Sequence, residues 1–373
     1  MRKATSRIVR PLLLWYRENK RSLPWREAPS PYHTWISEIM LQQTRIEAVK
    51  EYYRRFLTRL PAISDLAEIT EDELLKLWEG LGYYSRARNL KKAAIRVEEE
   101  YDGELPADFE QLRSLPGIGN YTAGAIASIA YGLPEPAVDG NVLRVLMRYL
   151  NRDDDVMSGK LRSEVEDCLR EVMRQAFCGG TDSYIEEEKI GPGEKAEENP
   201  AGDFTQALME LGEVICLPNG EPLCEKCPLR EECLGREAGR AAELPVRKKK
   251  TVRTVEKRTI LRLRDPDGRV AIRRRPDSGL LAGMWELPSV DGHRKKNEIP
   301  SVVGELTGSE DPTGPVRKMD KARHIFSHRE WDMVGYEMEL PPRDMVGMVW
   351  ASPQDLEEKF ALPTAFSAFV RHL

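Results

Sequence analysis

The stretch LPGIGNYTAGAIASIAYG, residues 115–132, decides the fold of the first half of this chain, and EPAVDGN, residues 135–141, follows it after a short loop. Gly117 and Gly119 predict a tight turn between two helices, because residues without a Cβ let backbone N–H groups approach an anion closely. Such N–H groups at the start of a helix form an anion site. The stretch therefore predicts a helical hairpin that grips a phosphate group, with a carboxylate, Asp139, about one helix downstream.

The size and composition of the chain are those expected of two globular domains. It has 373 residues, of which 40% are hydrophobic and 32% are charged, so each domain can bury its own core. The longest weakly polar run, residues 122–134, is too short to cross a bilayer, and the N-terminus lacks a cleavable secretory signal. We therefore expect an intracellular protein without a membrane segment, which in a bacterium means the cytoplasm, in association with the nucleoid.

A net charge of −5 is unusual for a protein that binds nucleic acid. Eight acidic residues, against Lys189 and Lys195, fall in the segment from Cys178 to Asp203, so the rest of the chain is close to neutral. This acidic insertion, about residues 178–203, is rich in Gly, Pro and Glu and poor in apolar residues, which predicts a solvated, mobile loop. The net charge therefore does not exclude a DNA-binding protein.

Two kinds of sequence pattern divide the chain. Apolar residues follow helical spacing over Trp35–Leu57, Thr70–Gly82, Ser85–Glu100, Thr122–Tyr131, Val142–Leu150 and Leu161–Phe177, and again in DFTQALMELGEVIC, residues 203–216. Beyond residue 254, short β-type runs alternate with turn signals such as DPDG and PDSG. We predict an all-α domain over residues 1–233, a basic connector over 234–254 and an α+β domain over 255–373.

Four of the six cysteines lie within eighteen residues, with the spacing C-x7-C-x2-C-x5-C: Cys216, Cys224, Cys227 and Cys233. Soft thiolates this close together in an intracellular chain favour a metal centre over disulfides. Zinc is the general interpretation of paired cysteines, although the spacing differs from the two CxxC knuckles of a zinc ribbon. An iron–sulfur cluster and free thiols are the other interpretations. Cys168 and Cys178 are interpreted as buried or incidental thiols.

Two acidic residues far apart in the sequence form the candidate catalytic pair: Glu38 in SEIMLQQT and Asp139 in VDGN. The hairpin pattern, with an aspartate about one helix downstream, resembles the helix-hairpin-helix of the base-excision DNA glycosylase superfamily, which implies cleavage of a base from deoxyribose. That reaction passes through an oxocarbenium-like sugar, so the site needs an acid that protonates the departing base and a carboxylate that stabilises the cation. Taken alone, Glu38 is also interpretable as a solvated helix residue, and Asp139 as the N-cap of the helix that begins near Val142.

Several segments resemble, in the same order, segments of the MutY adenine DNA glycosylases. They are LPWR (23–26), WISEIMLQQT (35–44), LWEGLGYYSRARNL (77–90), LPGIGNYTAGAI (115–126) and VDGNVLRV (138–145). The resemblance covers about residues 8–233 without the acidic insertion and includes the cysteine loop, whose usual family pattern is C-x6-C-x2-C-x5-C. It implies a helix-hairpin-helix domain with one [4Fe–4S] cluster per chain. This chain departs from the pattern by one extra residue in the first gap, around Pro218–Pro222.

The resemblance implies a role for each matching residue. Glu38 is expected to protonate adenine N7 from an apolar pocket that keeps its own proton on, and Asp139 to stabilise the sugar cation or a covalent intermediate. Asn141 and Tyr121 would support these two acids by hydrogen bonding, and Arg26 would lie near the adenine. Endonuclease III carries at position 121 a lysine that forms a Schiff base. Tyr121 cannot do so, although it is also interpretable as a packing residue of the hairpin.

An adenine stacked in a duplex must be flipped out before it can enter such a pocket. By resemblance, Gln43 and Tyr83 probe or wedge the duplex beside the base that is left behind. The matching anchor positions of the hairpin are Leu115, Gly117, Gly119 and Thr122.

Residues 255–373 resemble the Nudix-like domain that MutY proteins carry. The Nudix box, G-x5-E-x7-R-E-x2-E-E-x-G, is missing between Gly268 and Pro341, which disfavours nucleotide hydrolysis. ARHIFSHREWDM (322–333) resembles the loop with which MutY reads 8-oxoguanine, and Phe326, Ser327 and His328 are the matching residues. 8-Oxoguanine carries an N7–H donor where guanine has an acceptor, so a hydroxyl group can distinguish them.

The sequence therefore predicts a monomeric, monofunctional adenine DNA glycosylase that acts on duplex DNA with A:8-oxoG or A:G mispairs. Two alternatives stay open: an endonuclease III-like glycosylase with lyase activity, and a noncatalytic protein that binds lesions. The basic connector is interpreted either as a solvated linker or as a segment that follows the phosphate backbone.

Overall fold

The structure is a computed structural model that describes residues 1–178, 199–247, 253–308, 312, 314–341, 345 and 347–371. Most of the predicted acidic insertion and residues 248–252 of the basic connector lie outside this range. The chain separates into two units: Met1–Ala67 with Asn89–Lys250, and Glu68–Arg88 with Thr251–Leu373. The domain limits at residues 233 and 255 stay a prediction.

The first unit is helical. Its helices are α1 (Arg2–Thr5), α2 (Val9–Asn19), α3 (Pro24–Glu27), α4 (Pro31–Leu41), α5 (Ile46–Arg59), α6 (Ile63–Glu68), α8 (Ser85–Glu100), α9 (Phe109–Ser114), α10 (Asn120–Ala125), α11 (Gly140–Tyr149), α12 (Gly159–Phe177), α13 (Pro200–Val214) and α14 (Leu234–Glu237). Helix α8 starts in the second unit, and a π-helical turn, Ile126–Ala130, continues α10. None of the described helices is long and apolar enough to span a membrane.

The apolar faces of α2, α11, α12 and α13 form the core of this unit. Leu12, Val145, Leu169 and Phe204, one from each helix, are almost fully buried there. The helical spacing that predicts α8 and α12 matches their observed bounds, because each helix buries one stripe of apolar residues. The all-α prediction for the first half is confirmed.

The predicted continuous helix over Trp35–Leu57 is wrong. The structure has two helices, and the chain turns between Leu41 and Ile46. Gln43 adopts a φ of 57° in this turn, a left-handed conformation that residues with a side chain seldom adopt. The sequence did not predict this break because the turn contains neither Gly nor Pro and because the helical spacing of apolar residues continues across it.

The hairpin consists of α9, a short turn and α10. Gly117 has a φ of 78°, and a Cβ at this position would lie 2.6 Å from the Cβ of Asn89. Both the backbone conformation and the close approach of α8 therefore require glycine here. The predicted helical hairpin is confirmed.

The second unit contains a mixed β-sheet. Its strands are β1 (Thr254–Arg264), β2 (Val270–Arg274), β3 (Trp285–Glu286), β4 (Ser289–Asp291), β5 (Val316–Lys318), β6 (Ala322–Ile325), β7 (Arg329–Glu339) and β8 (Met348–Ala351), and its helices are α7 (Glu71–Leu77), α15 (Ile299–Thr307), α16 (Pro353–Glu358) and α17 (Ser367–Val370). Strands β1 and β7 pair in parallel at its centre, with Ile260 opposite Gly335. The strand order is β3-β2-β1-β7-β5. In addition, β4 pairs with β1, β6 with β7 and β8 with β2, and these three pairs are antiparallel.

Both faces of this sheet are covered. Leu261 and Leu263 of β1 pack with Val303 of α15 on one face, whereas Ile260 and Phe369 belong to the core on the other. Alternate residues of a strand point to opposite faces, so one strand contributes to both cores. The predicted α+β class is confirmed, while α15 and the short strands β5, β6 and β8 were not predicted.

Candidate active site

A cavity of about 570 Å³ opens in the first unit. Its walls come from α3, α4, the hairpin, the start of α11 and one side of α13. The predicted site residues that line it are Arg26, Glu38, Gln43, Gly117, Gly119, Tyr121, Thr122, Asp139 and Asn141. Leu115 is 2% exposed at the end of α9, and Tyr83, Phe326, Ser327 and His328 belong to the second unit.

Glu38 lies in the wall of this cavity and is 6% exposed. It sits on the last turns of α4, which begins where the Ser30 hydroxyl accepts a hydrogen bond from the backbone N–H of His33. The Tyr121 hydroxyl donates a hydrogen bond of 2.5 Å to Oε2 of Glu38. The hairpin and α4, which are about 80 residues apart in the sequence, therefore meet at one carboxyl group.

The surroundings of Glu38 favour its protonated form. Burial is the main reason that its pKa rises from 4.5 to about 7; the hydrogen bond from Tyr121 and the charge of Arg26 lower it, and the charge of Asp139 raises it. Burial and the two nearby carboxyl groups also raise the pKa of Tyr121 well above its ordinary value. The phenol is therefore neutral and acts as the donor in its hydrogen bond to Glu38. A carboxyl that holds its proton near neutral pH can act as a general acid.

Asp139 is the N-cap of α11 and also faces the cavity. Its Oδ1 accepts a hydrogen bond of 2.8 Å from the backbone N–H of Val142, and its Oδ2 accepts one of 2.7 Å from Nδ2 of Asn141. Burial raises the pKa of Asp139 above its ordinary value, and these hydrogen bonds and the charge of Arg144 offset only part of that increase. Asp139 can therefore be both a helix cap and a pocket carboxylate. Oδ1 caps α11, while Oδ2 is bonded to Asn141, and the residue lines the cavity.

A buried arginine connects this carboxylate to the cysteine loop. Arg144 donates 2.7 Å hydrogen bonds from Nη2 to Oδ1 of Asn141 and to the carbonyl of Gly212, and a 2.8 Å bond from Nε to the carbonyl of Cys216. A Cβ on Gly212 would lie 2.6 Å from the Cβ of Asn141, so glycine permits α13 to pass this close. Sequence reasoning missed Arg144, although it lies three residues after Asn141 on the same face of α11.

The four clustered cysteines follow α13. Cys216, Cys227 and Cys233 pack against the core of the helical unit, and Cys233 directly precedes α14. Cys216 and Cys233 both contact Arg148: Sγ of Cys216 accepts a 3.3 Å hydrogen bond from Nη1, and Sγ of Cys233 donates a 3.7 Å bond to the carbonyl. Burial is the main reason that the pKa of the Cys227 thiol rises to about 12. Within the described ranges, no three His, Cys, Asp or Glu side chains converge closely enough to hold a single metal ion.

The hairpin turn presents open backbone to the cavity. Gly119 is the N-cap of α10, and no atom lies within 4 Å of the position where a Cβ would be. Thr122 is 2% exposed, and its hydroxyl accepts a 3.3 Å hydrogen bond from Nε2 of Gln42 in the turn after α4. The turn therefore leaves open space beside its backbone at Gly119, and the predicted binding of a phosphate there stays a prediction.

Further polar residues that sequence reasoning missed line the same cavity, among them Arg21, Gln206 and Glu210. The Nε of Arg26 donates a 2.9 Å hydrogen bond to Oε1 of Gln206, and its Nη2 donates one of 3.0 Å to Oε2 of Glu210. The available signal was their spacing, because Gln206 and Glu210 are four positions apart on α13 and therefore lie on one face of that helix.

A second cavity, of about 610 Å³, lies within the second unit. Tyr83, His324, Phe326, Ser327 and His328 are among its lining residues. The hydroxyl groups of Tyr83 and Ser327 are 2.9 Å apart and share a hydrogen bond. Tyr83 is 44% exposed and has a φ of 48°. The predicted wedge and the predicted reading loop therefore meet at one cavity.

Aromatic packing fixes the loop of Phe326, Ser327 and His328 at the tip of the β6–β7 hairpin. The ring of Phe326 packs edge-on against His324 and Trp331, with centroid distances of 4.6 and 5.0 Å. The backbone N–H of Phe326 donates a 2.8 Å hydrogen bond to the carbonyl of Arg329, which closes the turn. Ser327 and His328 are exposed at its tip, where their side chains can contact a ligand.

Comparison with known proteins relates both units to DNA repair. Residues 36–175 match the family model of the HhH-GPD superfamily base excision DNA repair proteins, and residues 259–372 match the model of the NUDIX domain. Over 385 aligned positions the chain is 33% identical to an adenine DNA glycosylase of Rattus norvegicus, and the alignment covers 89% of this chain and 70% of the rat protein. The adenine DNA glycosylase of Mus musculus is 34% identical, with 88% and 70% covered.

The fold of the first unit also has a counterpart among solved structures. A thermostable thymine-DNA glycosylase superposes with a TM-score of 0.51 and 26% sequence identity, over 63% of this chain and 98% of that chain. The helical half of the chain therefore has the architecture of a DNA glycosylase.

Proposed function

The chain belongs to the adenine DNA glycosylase family, and we propose that it releases adenine mispaired with 8-oxoguanine or guanine from duplex DNA. It is a DNA glycosylase, an enzyme of base excision repair that acts on N-glycosidic bonds. One observation supports the finer proposal above all: a buried carboxyl, Glu38, takes a hydrogen bond from Tyr121 in the cavity that Asp139 also lines.

The two carboxyl groups divide the chemistry between them. Glu38, whose pKa is raised to about 7 mainly by burial, delivers its proton to N7 of the departing adenine. Asp139, held by hydrogen bonds from Val142 and Asn141, acts as the carboxylate that stabilises the oxocarbenium-like sugar or captures it covalently. Water then completes the hydrolysis, with Glu38 in its ionised form as the base.

Tyr121 determines which of two glycosylase reactions is proposed. A lyase needs an amine that attacks C1′ and forms an imine. The Tyr121 phenol cannot form an imine, and its hydroxyl is already bonded to Glu38. We therefore assign base release without strand cleavage, which leaves an abasic site.

Access to the base requires the duplex to be opened. Adenine must rotate out of the stack, and the vacated space must be held open by a side chain. Tyr83, exposed on a turn of left-handed backbone, provides an aromatic wedge for this purpose, and Gln43 in the turn after α4 contacts the opened duplex. The hairpin turn at Gly117 and Gly119 binds a phosphate of the same DNA through its backbone N–H groups.

The second unit supplies selectivity for the damaged base. The Ser327 hydroxyl can accept a hydrogen bond from N7–H of 8-oxoguanine, which guanine does not have. Phe326 and His328 flank this hydroxyl, and the cavity beside them has room for a base.

Replacing Ser327 by alanine should reduce the preference for A:8-oxoG over A:G about 5- to 10-fold, which is the effect of one hydrogen bond of about 1 kcal/mol. Single-turnover rates on the two duplexes measure this ratio. Ser301→Ala, on the exposed side of α15, is the control and should leave the ratio unchanged. A ratio that is also unchanged in Ser327→Ala would remove this residue from the reading of 8-oxoguanine.

The four clustered cysteines are the proposed ligands of a [4Fe–4S] cluster. Cys216, Cys227 and Cys233 pack against the same helical core, and Cys216 and Cys233 contact the same arginine, Arg148, which supports a shared site for soft thiolate ligands. When bound, the cluster has a structural role. Bound to these four cysteines, it would hold the loop whose first cysteine, Cys216, accepts the Arg144 hydrogen bond at its carbonyl.

Purified protein should therefore contain about four iron atoms and about four acid-labile sulfides per chain. Cys227→Ser should lose most of this iron and melt at a lower temperature, because Cys227 is one of the cysteines packed against the helical core. Cys178→Ser, which removes an exposed thiol outside the cluster, should retain it. Stoichiometric zinc without iron would contradict this assignment.

The proposed function is tested by single-turnover reactions on duplexes with adenine opposite 8-oxoguanine, guanine, cytosine or thymine. We expect release of adenine, fastest opposite 8-oxoguanine, and no covalent adduct after borohydride reduction. A trapped adduct would identify a lyase. Tight binding to the A:8-oxoG duplex without any base release would identify a noncatalytic lesion-binding protein.

A further inference from the structure

Helix α12 carries charged residues at four-residue intervals: Arg162, Glu166, Arg170 and Arg174. This spacing places each of them on the same side of the helix as the next. None of these four residues lines the active-site cavity, and the mechanism above assigns them no role. We call them the α12 charged row, and each of them contacts the stretch that runs from the hairpin to Asp139.

Arg162 holds the end of the loop that leads to Asp139. Its Nη1 donates a hydrogen bond to the carbonyl of Val138, the residue directly before Asp139. Val138 is fully buried, and a buried carbonyl requires a hydrogen-bond partner. Arg162 meets this requirement from α12, 24 positions further along the chain.

The start of the same loop, residues 135–139, is held by two other members of the α12 charged row. The carboxylate of Glu135, which is 9% exposed, accepts hydrogen bonds from Nε of Arg170 at 2.7 Å and from Nη2 of Arg174 at 3.2 Å. Burying a carboxylate is costly unless it is paired in this way. Both ends of the loop are therefore bound to one helix.

The middle of the loop packs against the hairpin. A Cβ on Gly124 of α10 would lie 2.0 Å from the carbonyl oxygen of Pro136, so glycine is what permits this approach. The fourth member of the row, Glu166, accepts a 3.0 Å hydrogen bond at Oε2 from Nδ2 of Asn120, the first residue of α10. Direct contacts therefore join the loop, the hairpin and α12 to one another.

The contact from Arg162 bears directly on Asp139. A carbonyl and the N–H of the next residue lie in one peptide plane. Holding the carbonyl of Val138 therefore fixes one of the two peptide planes that meet at the Cα of Asp139, and so restricts where the side chain can lie. Placement of this kind matters, because a shift of about 1 Å in a reacting group can slow a reaction about 100-fold.

We propose that Arg162 is a positioning residue that, through the carbonyl of Val138, places the Asp139 carboxylate against the sugar of the flipped nucleotide. Glu135, bound to Arg170, anchors the other end of the loop and has a smaller effect. This inference rests on the proposed function, in which Asp139 is the carboxylate that stabilises the sugar cation.

The sign of the effect separates a role in position from a role in charge. A positive charge near a developing cation repels it and slows the reaction. If Arg162 influenced the sugar through its charge, its removal would accelerate release of adenine. A positioning role requires the opposite, since release slows when the Asp139 loop is no longer held.

Arg162→Met should slow single-turnover release of adenine opposite 8-oxoguanine about 10- to 100-fold. The enzyme concentration at half-saturation should not change, and the rate should still decrease as the pH rises through about 7, because Glu38 is unaltered. Arg162→Lys keeps a donor for the carbonyl of Val138 and should restore most of the rate. In the Asp139→Asn background, Arg162→Met should slow release less than about 2-fold, because the carboxylate that it positions is already lost.

Glu135→Gln tests the other end of the loop. It weakens the pairing with Arg170 and should slow release about 3- to 10-fold, again with no further effect in the Asp139→Asn background. This variant leaves Arg162 in place, so it tests the loop even if Arg162→Met does not fold.

Lys91→Met is the matched control for loss of stability. It removes a 2.7 Å hydrogen bond from Nζ of Lys91 to the carbonyl of Ala67, a contact between a cation and a backbone carbonyl in the same unit. Neither residue lines the cavity. Lys91→Met should lower the melting temperature, as Arg162→Met does, but should keep the wild-type rate.

The outcomes distinguish this inference from the proposed function. If the wild type releases no adenine from any duplex, the proposed function fails. If the wild type is active but Arg162→Met is as fast or faster, the positioning role is wrong and the proposed function stands. The positioning role is also wrong if Arg162→Met slows release as much in the Asp139→Asn background as in the wild type, because Arg162 would then act through another group.

Discussion

Glu38→Gln should lower the single-turnover rate of adenine release by about 1000-fold or more while the protein remains folded. The amide has the size of the carboxyl group, and its oxygen can still accept the hydrogen bond from Tyr121. It carries no acidic proton for the departing base, so the general-acid contribution of about 100- to 10,000-fold is lost. Rates measured at saturating enzyme, together with thermal melting, separate loss of chemistry from loss of fold.

The pH dependence of the wild type provides an independent check. Burial raises the pKa of Glu38 to about 7, and the active form is the protonated one. The rate should therefore decrease as the pH rises through about 7, and the residual rate of Glu38→Gln should lack this decrease. The raised pKa also means that Glu38 adds to stability below its ordinary value of 4.5, and that this stability is lost as the pH rises through about 7. In Glu38→Gln, this contribution to the pH dependence of the melting temperature should be absent.

Glu99→Gln, on the exposed side of α8, is the matched control and should retain the wild-type rate and pH profile. Equal activity of wild type and Glu38→Gln would contradict the mechanism, because another group would then have to protonate the base. Lesion binding without chemistry is the one alternative in which Glu38 is dispensable.

The elements that could be predicted from the sequence are those that local forces determine. Helix α8 matches its prediction from Ser85 to Glu100 because one apolar stripe defines it from end to end. Helix α7 begins after Thr70 as predicted, since Thr70 and Glu73 form a capping box, but it ends at Leu77 and not at Gly82. In contrast, the break at Gln43, which lines the cavity, has no local signal, because the turn between α4 and α5 contains neither Gly nor Pro.

In the candidate site, too, some residues could be predicted from the sequence and others could not. Motif resemblance identified Glu38 and Tyr121 as separate residues, and the structure adds that they share a hydrogen bond. Arg26 was also identified, but its partners Gln206 and Glu210 were not, because each contact joins residues about 180 positions apart. A pairing over that distance leaves no periodic or spacing signal in a single sequence.

The small elements of the second unit show a third limit. Strands β5 and β6 have three and four residues, too few for alternation to stand out from the surrounding loop. They form because β7 offers a long edge with which both of them pair. The position of the Ser327 loop between β6 and β7 is therefore a consequence of tertiary pairing.

Asp139→Asn should lower the rate of adenine release by about 100-fold or more without lowering the melting temperature. Asp139 caps α11 through Oδ1, and asparagine is an equally good N-cap. What the substitution removes is the negative charge that faces the sugar cation, an electrostatic contribution made in a buried site. Asp139→Ala should lose the charge and the cap together, so its melting temperature should fall by about 2 to 4 °C for a cap of about 1 kcal/mol.

Asp108 provides the control for this separation, because it caps α9 through a 2.9 Å hydrogen bond from the backbone N–H of Gln111 and is exposed. Asp108→Asn should change neither rate nor stability, and Asp108→Ala should lower stability alone. If Asp139→Asn behaved like Asp108→Asn, capping would be the whole role of Asp139. The stabilisation of the sugar would then have to come from another group. If the rate falls while the melting temperature holds, Asp139 has two roles: Oδ1 caps α11, and the negative charge stabilises the sugar cation. This double role explains why a half-buried carboxylate ends the loop after the hairpin.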